Sequence, residues 1–313
     1  MTRRAWLLMV LLAALWGASY MFIKVGLDDG LDPVFVVFSR IVLGALVLVP
    51  IALRAGAFAP LRGRWGAIAV IAVVQVVVPF LLITFGQERI ASSLAGILVS
   101  AAPIFTALIA IRVDQEERAR GIAGAGIVVG IVGVVLLFGV DLSGDASALA
   151  GGLMVLLAAL GYAVGVLYLK HRLSGVPPVG IAAATMVLGT LVLLPAVPFA
   201  LPDAAPSLEA TGSLLALGAG GTGIAFLIFY TLIAAIGPGR ASIVAYIAPG
   251  FAVGYGVALL GEPLTAGGVL GLGLILGGSW LAAEGRLPWQ PRVVPVAPLE
   301  PPPVPSEPVR LPA

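Results

Sequence analysis

Residues 8–15 read LMVLLAAL, and residues 153–160 read LMVLLAAL again. A second correspondence lies at nearly the same offset, where AGILVSAAP at 95–103 aligns with ASIVAYIAP at 241–249. A shared offset in two distant stretches indicates an internal repeat. We therefore expect the chain to consist of two copies of one unit. We place the first copy at residues 1–140 and the second at residues 149–284.

The composition indicates a protein that lies in lipid. Of 313 residues, 60% are hydrophobic and 10% are charged, against roughly 25% charged in an ordinary soluble domain. A membrane helix needs about 20 apolar residues, and the apolar runs are long enough for ten. They lack the alternation of barrel strands, so helices are predicted throughout. The predicted spans are 5–26, 33–53, 66–86, 91–111, 121–140, 149–169, 179–201, 212–236, 241–260 and 267–284.

Each copy contains five of these spans. Because five is odd, the second copy must enter the membrane upside down. The sequence thus predicts an all-α membrane protein with ten transmembrane helices in two inverted five-helix repeats. Inverted repeats are typical of transporters, whose substrate site lies near the midplane between the copies. The alternative is a duplicated scaffold without a transport role.

The Lys and Arg residues predict the orientation. With the N-terminus inside, fourteen of the seventeen lie on the inner side, which is the distribution of cytoplasmic loops. Both termini are therefore predicted to be cytoplasmic, in a multi-pass protein of a bacterial-type inner membrane. Residues 285–313 contain ten prolines and are predicted to form a disordered Pro-rich cytoplasmic tail.

Several classes of chemistry are not expected. The chain has no cysteine and one histidine, His171, so neither a metal site nor another cofactor is predicted. The net charge of +2 argues against nucleic acid, and no phosphate-binding loop is present. Ser19 could be a nucleophile only with His171, which lies roughly 21 Å away in depth. We therefore predict no enzymatic activity.

The two copies resemble the EamA-like transporters of the drug/metabolite transporter superfamily. The resemblance rests on ALWGAS at 14–19, SRI at 39–41, AAPIFTAL at 101–108, IAP at 247–249 and GEPLT at 261–265. The first copy departs from the last motif, with DQEER at 114–118. The resemblance implies a secondary transporter, often an exporter of amino acids or other small metabolites. It does not identify the substrate.

Polar and aromatic side chains near the span midpoints are the candidates for substrate contacts. Trp16, Tyr20 and Lys24 recur every four residues on one helix face; Lys24 near the outer end is equally typical of a snorkelling lysine. The predicted substrate-binding residues are Trp16, Tyr20, Arg40, Gln75, Pro79, Ser100, Tyr162, Thr222, Phe226, Tyr230 and Tyr246. The hydroxyls of Tyr162, Tyr230 and Tyr246 suggest one amphipathic cavity suited to amino acids.

Arg40 lies roughly 10 Å below the outer end of span 2. A charge at the membrane centre costs about 2.5–3.5 kcal/mol, so this side chain needs a partner. Two interpretations remain open. The guanidinium holds a substrate carboxylate by two hydrogen bonds, or it reaches outward to an aspartate. The candidates for that second role are Asp28, Asp29 and Asp32.

Prolines interrupt three spans. Pro79 frees the backbone carbonyl of Gln75, which predicts a polar spot near the middle of span 3. Pro103 and Pro249 occupy equivalent positions in the two copies and are predicted hinges; the alternative is a kink that only shapes the bundle.

Spans 5 and 10 are glycine-rich and contain few polar atoms. Gly126-x-x-x-Gly130 and Gly267-x-x-x-Gly271 allow close helix packing, either within the chain or in a homodimer, away from the substrate path. No acidic residue lies near a midplane, so facilitated transport is as well supported as proton coupling. The partners expected are a small-molecule substrate and membrane lipids. A lipid or lipid-linked sugar flippase and a passive channel remain alternatives.

Overall fold

The computed structural model describes residues 2–113, 122–142 and 144–284. These residues form helices joined by short turns, with no strand among them. The acidic stretch at 114–118 and the Pro-rich tail at 285–313 lie outside the described residues.

The prediction of an all-α membrane protein with ten spans in two repeated halves is confirmed. Nine helices of the described ranges are long and apolar enough to cross a membrane, and Val244–Leu260 is shorter, with 17 residues. The spans are Arg3–Asp28, Pro33–Arg54, Trp65–Gln87, Ser92–Val99 with Ala102–Val113, Ile122–Val140, Ala146–Arg172, Pro178–Phe199, Leu208–Ile236, Val244–Leu260 and Ala266–Glu284. We number them span 1 to span 10 in that order.

The loop residues between the apolar runs act as helix caps. Asp32 accepts a hydrogen bond from the N–H of Val34 at 2.7 Å, directly before Pro33 opens span 2. Ser207 caps span 8 in the same way, accepting from the N–H of Ala210 at 3.1 Å. These side chains satisfy N–H groups that have no partner within the helix.

Spans 3 and 8 each contain a widened π-helical segment. The segments are Ala72–Val77 and Ala216–Ile224, and they overlap when the two copies are aligned. Such segments are rare in proteins overall, and those that occur are often at functional sites. The sequence did not predict them, since no residue type signals a π-turn.

The two predicted hinge prolines lie in different local structures. Span 4 breaks at Ser100 and Ala101, and Pro103 follows in the first turn of the next helix, where its missing N–H costs no hydrogen bond. Pro249 lies inside the continuous helix Val244–Leu260. The two copies are therefore not equivalent here; whether either proline is a hinge stays a prediction.

Helices of one copy pack mainly against helices of the other. Span 5 packs against span 10, span 1 against span 9, span 2 against span 7, and span 3 against span 6. Glycines bring spans 5 and 10 together: a Cβ atom built on Gly278 would lie 2.4 Å from the backbone nitrogen of Gly130. Gly126 and Gly271 likewise contact the other span of this pair, at Ala282 and Leu137 respectively. The homodimer stays a prediction, and it would have to use other faces of these spans.

Candidate functional site

Arg40 is buried in the middle of the bundle, with 8% of its surface exposed. Its Nε–H donates to Oγ1 of Thr222 at 3.0 Å. Its guanidinium carbon lies 3.8 Å from the centroid of the Phe80 ring, a cation–π distance. Spans 2, 3 and 8 thus meet around one positive charge.

The three aspartates of the nearby loop are engaged elsewhere. Asp28 pairs with Lys24 at 3.2 Å, Asp29 accepts from the N–H of Ser207 at 3.0 Å, and Asp32 caps its own helix. Arg40 therefore does not reach outward to these carboxylates, and its charge stays inside the bundle.

Two tyrosines lie in the same layer as Arg40. Tyr20 and Tyr162 pack against one apolar cluster that includes Ile23, Val36 and Ile83, and both lie within electrostatic range of the guanidinium. Tyr162 also packs against the neighbouring cluster that contains Phe226 and Tyr230. We call Arg40, Thr222, Phe80, Tyr20 and Tyr162 the arginine layer.

Four aromatic rings lie beside the arginine layer. The ring centroids of Trp16 and Phe229 are 5.3 Å apart, those of Trp16 and Phe226 are 6.4 Å apart, and those of Phe226 and Tyr230 are 5.9 Å apart. Trp16 precedes Tyr20 by four residues and Phe226 follows Thr222 by four. The four rings, which we call the aromatic layer, therefore lie one helical turn from the arginine layer.

Glycines of the π-helical segment in span 8 hold the two layers together. A Cβ atom on Gly218 would lie 2.5 Å from the side chain of Leu43, and one on Gly221 would lie 2.6 Å from Oγ of Ser19. Span 8 can therefore fit between spans 1 and 2 only because these positions lack side chains. The sequence Gly-Gly-Thr-Gly at 220–223 thus places the Thr222 hydroxyl against Arg40.

Gln75 faces span 6. A Cβ atom on Gly165 would lie 2.8 Å from Cβ of Gln75, and one on Gly161 would lie 3.1 Å from Cγ of Pro79. Both predicted residues thus pack against the span that carries Tyr162. The structure gives Gln75 no hydrogen bond to Arg40 or Thr222.

Ser100 and Tyr246 lie together, but in a second polar cluster. Ser279 donates from Oγ to the carbonyl of Ser100 at 3.0 Å, and the hydroxyl of Tyr246 donates to the carbonyl of Ser279 at 3.4 Å. The Tyr246 and Trp280 rings are 5.5 Å apart. Tyr246 therefore contacts span 10. The cavity that the sequence suggested for Tyr246 together with Tyr162 and Tyr230 stays a prediction.

Sequence reasoning missed Phe80, Ser279 and Trp280. Phe80 follows Pro79 in a solidly apolar run, and nothing distinguishes a phenylalanine under a guanidinium from one that only packs. Span 10 was expected to contribute few polar atoms, yet Ser279 is fully buried and joins the two copies.

The end of the bundle that carries the loop at 28–33 contains an open recess of about 450 Å³. Lys24 lies in its wall and donates from Nζ to the carbonyl of Gln87 at 3.4 Å, besides pairing with Asp28. The remaining lining comes from Leu27, from the loop at 28–33 and from Glu88.

Two carboxylates join the copies at this same end. Glu262 accepts from the N–H groups of Ser92 and Ser93, at 2.6 and 2.9 Å, where span 4 begins. Burial alone would raise the pKa of Glu262, but these hydrogen bonds outweigh it and hold the pKa below the ordinary value of 4.5. Asp29 makes the reciprocal contact, and its hydrogen bonds with Ser207 lower the pKa of its carboxyl.

The described residues contain no cluster of metal ligands. Within the described ranges, no group of three or more His, Cys, Asp or Glu side chains could hold a metal ion. The hydroxyl of Ser19 donates to the carbonyl of Leu15 at 3.1 Å, a bond within its own helix.

Known proteins share both the sequence pattern and the fold. The model of the EamA-like transporter family matches residues 4–139 and again residues 149–283. An uncharacterized transporter of Archaeoglobus fulgidus is 26% identical over 286 residues, covering 90% of this chain and 100% of the relative. The uncharacterized inner membrane transporter YedA of Escherichia coli is 28% identical over 290 residues, covering 90% and 92%.

Two further proteins are similar to this chain, one with a named activity and one with a solved structure. A probable amino-acid metabolite efflux pump of Escherichia coli is 29% identical over 174 residues, covering 56% of each chain. One crystal structure matches with a TM-score of 0.64 at 20% identity, covering 90% of this chain and 98% of the other. At that identity the likeness concerns the fold.

Proposed function

This chain belongs to the EamA-like transporter family, and we propose that it exports amino acids or similar small amphiphilic metabolites by alternating access. It is a multi-pass integral membrane transporter. We infer the substrate class, the direction of transport and the mechanism from the site, the repeat and a related efflux pump.

The arrangement of the two layers carries the proposal. Arg40 offers a cation inside the bundle, positioned by Thr222 and Phe80, and an arginine fork binds a carboxylate in a planar, bidentate geometry. One turn away, Trp16 and Phe226 offer apolar ring surface. A molecule with a carboxylate at one end and an apolar body at the other matches both layers at once.

The related efflux pump supports the direction and the substrate class. Its name describes amino-acid metabolites and export. The Lys and Arg distribution supports cytoplasmic termini in the inner membrane. In that orientation the arginine layer lies on the outer side of the aromatic layer.

The inverted repeat supports alternating access. Because span 3 and span 8 carry π-helical segments at corresponding positions, both copies have a locally weakened helix at the depth of the site. Two similar bundles that tilt against each other would expose this depth to one side of the membrane at a time.

The test is counterflow in proteoliposomes. Vesicles that contain purified protein are preloaded with one unlabelled amino acid, and the uptake of the labelled compound is followed. Alternating access predicts saturable uptake that the preloaded compound accelerates. Flux that rises linearly with concentration without acceleration would instead indicate a channel. Competition by lipid headgroups but not by amino acids would indicate a flippase.

A parallel measurement addresses coupling. The same uptake is recorded with and without a pH gradient across the vesicle membrane. Facilitated transport predicts equal initial rates in both cases, whereas proton coupling predicts a rate that follows the gradient.

A further inference from the structure

Arg40 has no carboxylate partner among the described residues. Every acidic residue in those ranges lies in a loop or in the terminal turn of a span. They are Asp28, Asp29, Asp32, Glu88, Asp141, Asp145, Asp203, Glu209, Glu262 and Glu284. Arg40, by contrast, lies seven residues into span 2. The described interior therefore carries one positive charge that protein carboxylates do not neutralise.

The groups around Arg40 orient the guanidinium without neutralising it. Thr222 supplies one hydroxyl oxygen to Nε, and the Phe80 ring covers one face of the guanidinium. The hydroxyls of Tyr20 and Tyr162 are neutral. A buried charge is costly when it lacks a charged partner, so an anion that enters the site gains the full attraction of an uncompensated cation.

A zwitterion gains less electrostatic binding free energy at this site than an anion does. In an α-amino acid the ammonium is attached to the carbon next to the carboxylate. Binding the carboxylate to Arg40 thus brings the ammonium close to the guanidinium, and like charges repel strongly at low dielectric. Among the described residues no carboxylate of the site can hold that ammonium. The Phe80 ring already has one face against the guanidinium of Arg40, and the Trp16 and Phe226 rings lie one helical turn away.

From this charge count we propose that the preferred substrate carries a net charge of −1. It is a monocarboxylate with an apolar or aromatic body whose amine is absent or acylated. This inference rests on the proposed function and narrows its substrate class. The carboxylate binds Arg40 in the arginine layer, and the apolar body contacts the rings of the aromatic layer.

The experiment compares three compounds that share one aromatic body. They are N-acetylphenylalanine, which is anionic, phenylalanine, which is zwitterionic, and phenylalaninamide, which carries no carboxylate. Counterflow of each is measured in proteoliposomes at equal concentration, with leak into protein-free vesicles subtracted. We expect the anion to exceed the zwitterion in kcat/KM by at least about tenfold, because the guanidinium repels the ammonium that only the zwitterion carries. The amide is expected to show no carrier-mediated flux.

Substitution at Arg40 tests the charge itself. Arg40→Gln removes the cation and keeps a polar side chain, so the preference for the anion over the zwitterion should fall by about tenfold or more. Arg40→Lys retains the charge and should keep the sign of the preference. The matched control is Arg89→Gln, since Arg89 lies at the outer surface and pairs with Glu88 at 3.1 Å; it should leave the preference unchanged.

The outcomes separate the two proposals. Faster counterflow of phenylalanine than of N-acetylphenylalanine in the unmodified protein would overturn the anion preference and leave the amino-acid exporter standing. Absence of carrier-mediated flux for all three, in protein that elutes as a single folded species in detergent, would overturn both. The wild-type comparison distinguishes these outcomes even if an Arg40 variant does not fold.

Discussion

At the residue scale, charged and polar site residues could be predicted from the sequence, whereas most apolar site residues could not. Arg40 and Trp16 could be predicted because each interrupts an apolar run. Phe80 could not, since its role under the guanidinium depends on a contact between spans 2 and 3. Tyr246 was recognised as polar, but its contact with Ser279 of span 10 was not predicted, because periodicity gives a helix face and not the helix opposite.

Thr222 provides a residue-scale prediction. Thr222→Val keeps the shape of the side chain and removes the oxygen that accepts from Arg40 at 3.0 Å. A hydrogen bond to a charged group contributes about 1.5–3 kcal/mol, so we expect KM for an anionic substrate to rise about tenfold or more. Initial rates of counterflow at several concentrations measure this.

Thr231 is the matched control for that substitution. It lies on the same span, is exposed, and donates only to the carbonyl of Leu227 at 2.8 Å. Thr231→Val should leave KM unchanged. An equal rise in both variants would mean that loss of a threonine hydroxyl in span 8 disturbs the helix, and that Thr222 does not position Arg40.

At the element scale, the positions of the helices could be predicted from the lengths of the apolar runs and from the capping residues. The π-helical segments that interrupt spans 3 and 8 could not be predicted. The apolar runs and loop residues such as Asp32 and Ser207 set where spans begin, because N–H groups at a helix start need acceptors. The π-helical segment of span 8 lies where this span packs between spans 1 and 2, and a single sequence does not state which helices will pack there. The glycines of spans 5 and 10 were predicted to pack, and the structure shows which of them do.

Adjacent glycines in span 10 allow a prediction with an internal control. A Cβ atom on Gly278 would lie 2.4 Å from the backbone nitrogen of Gly130, whereas nothing lies within 4 Å of one on Gly277. Gly278→Ala should therefore destabilise the protein by about 1–3 kcal/mol, and Gly277→Ala should change stability by less than about 0.5 kcal/mol. Thermal unfolding in one detergent measures both; similar melting temperatures would contradict the packing of spans 5 and 10.

At the scale of the whole molecule, the two copies are interleaved. Spans 5 and 10, 1 and 9, 2 and 7, and 3 and 6 pair across the copies, so the main helix contacts lie between the copies. The repeat, the span count and the predicted inversion could be obtained from the sequence. The pairing could not, because an offset between two similar stretches does not state how their helices pack.

Glu262 allows a pH prediction at this scale. Its pKa is held below 4.5 by hydrogen bonds from span 4 of the other copy, so its contribution is present at neutral pH and is lost as the pH falls through the lowered pKa. Glu262→Gln should lower the melting temperature at pH 7, by an amount equivalent to roughly 1 kcal/mol since the group is half-exposed. The difference from wild type should shrink below about pH 4.

Melting temperatures recorded between about pH 3.5 and pH 8 check this behaviour. Glu88→Gln is the control, because Glu88 lies at the same end and forms its ion pair with its own neighbour Arg89, within one copy. A constant difference between wild type and Glu262→Gln across the range would contradict the assignment of an ionised carboxylate to this contact.

Each copy contributes one carboxylate that accepts hydrogen bonds from the other copy, and this arrangement has a mechanical consequence. Glu262 of the second copy contacts the start of span 4, and Asp29 of the first contacts the residue that caps span 8. A rotation that parts the bundle at this face stretches both contacts together, whereas apolar helix surfaces slide past each other without losing hydrogen bonds. A rotation of this kind would therefore break hydrogen bonds of two short loops, and the opposite rotation, which closes this face, would leave them intact.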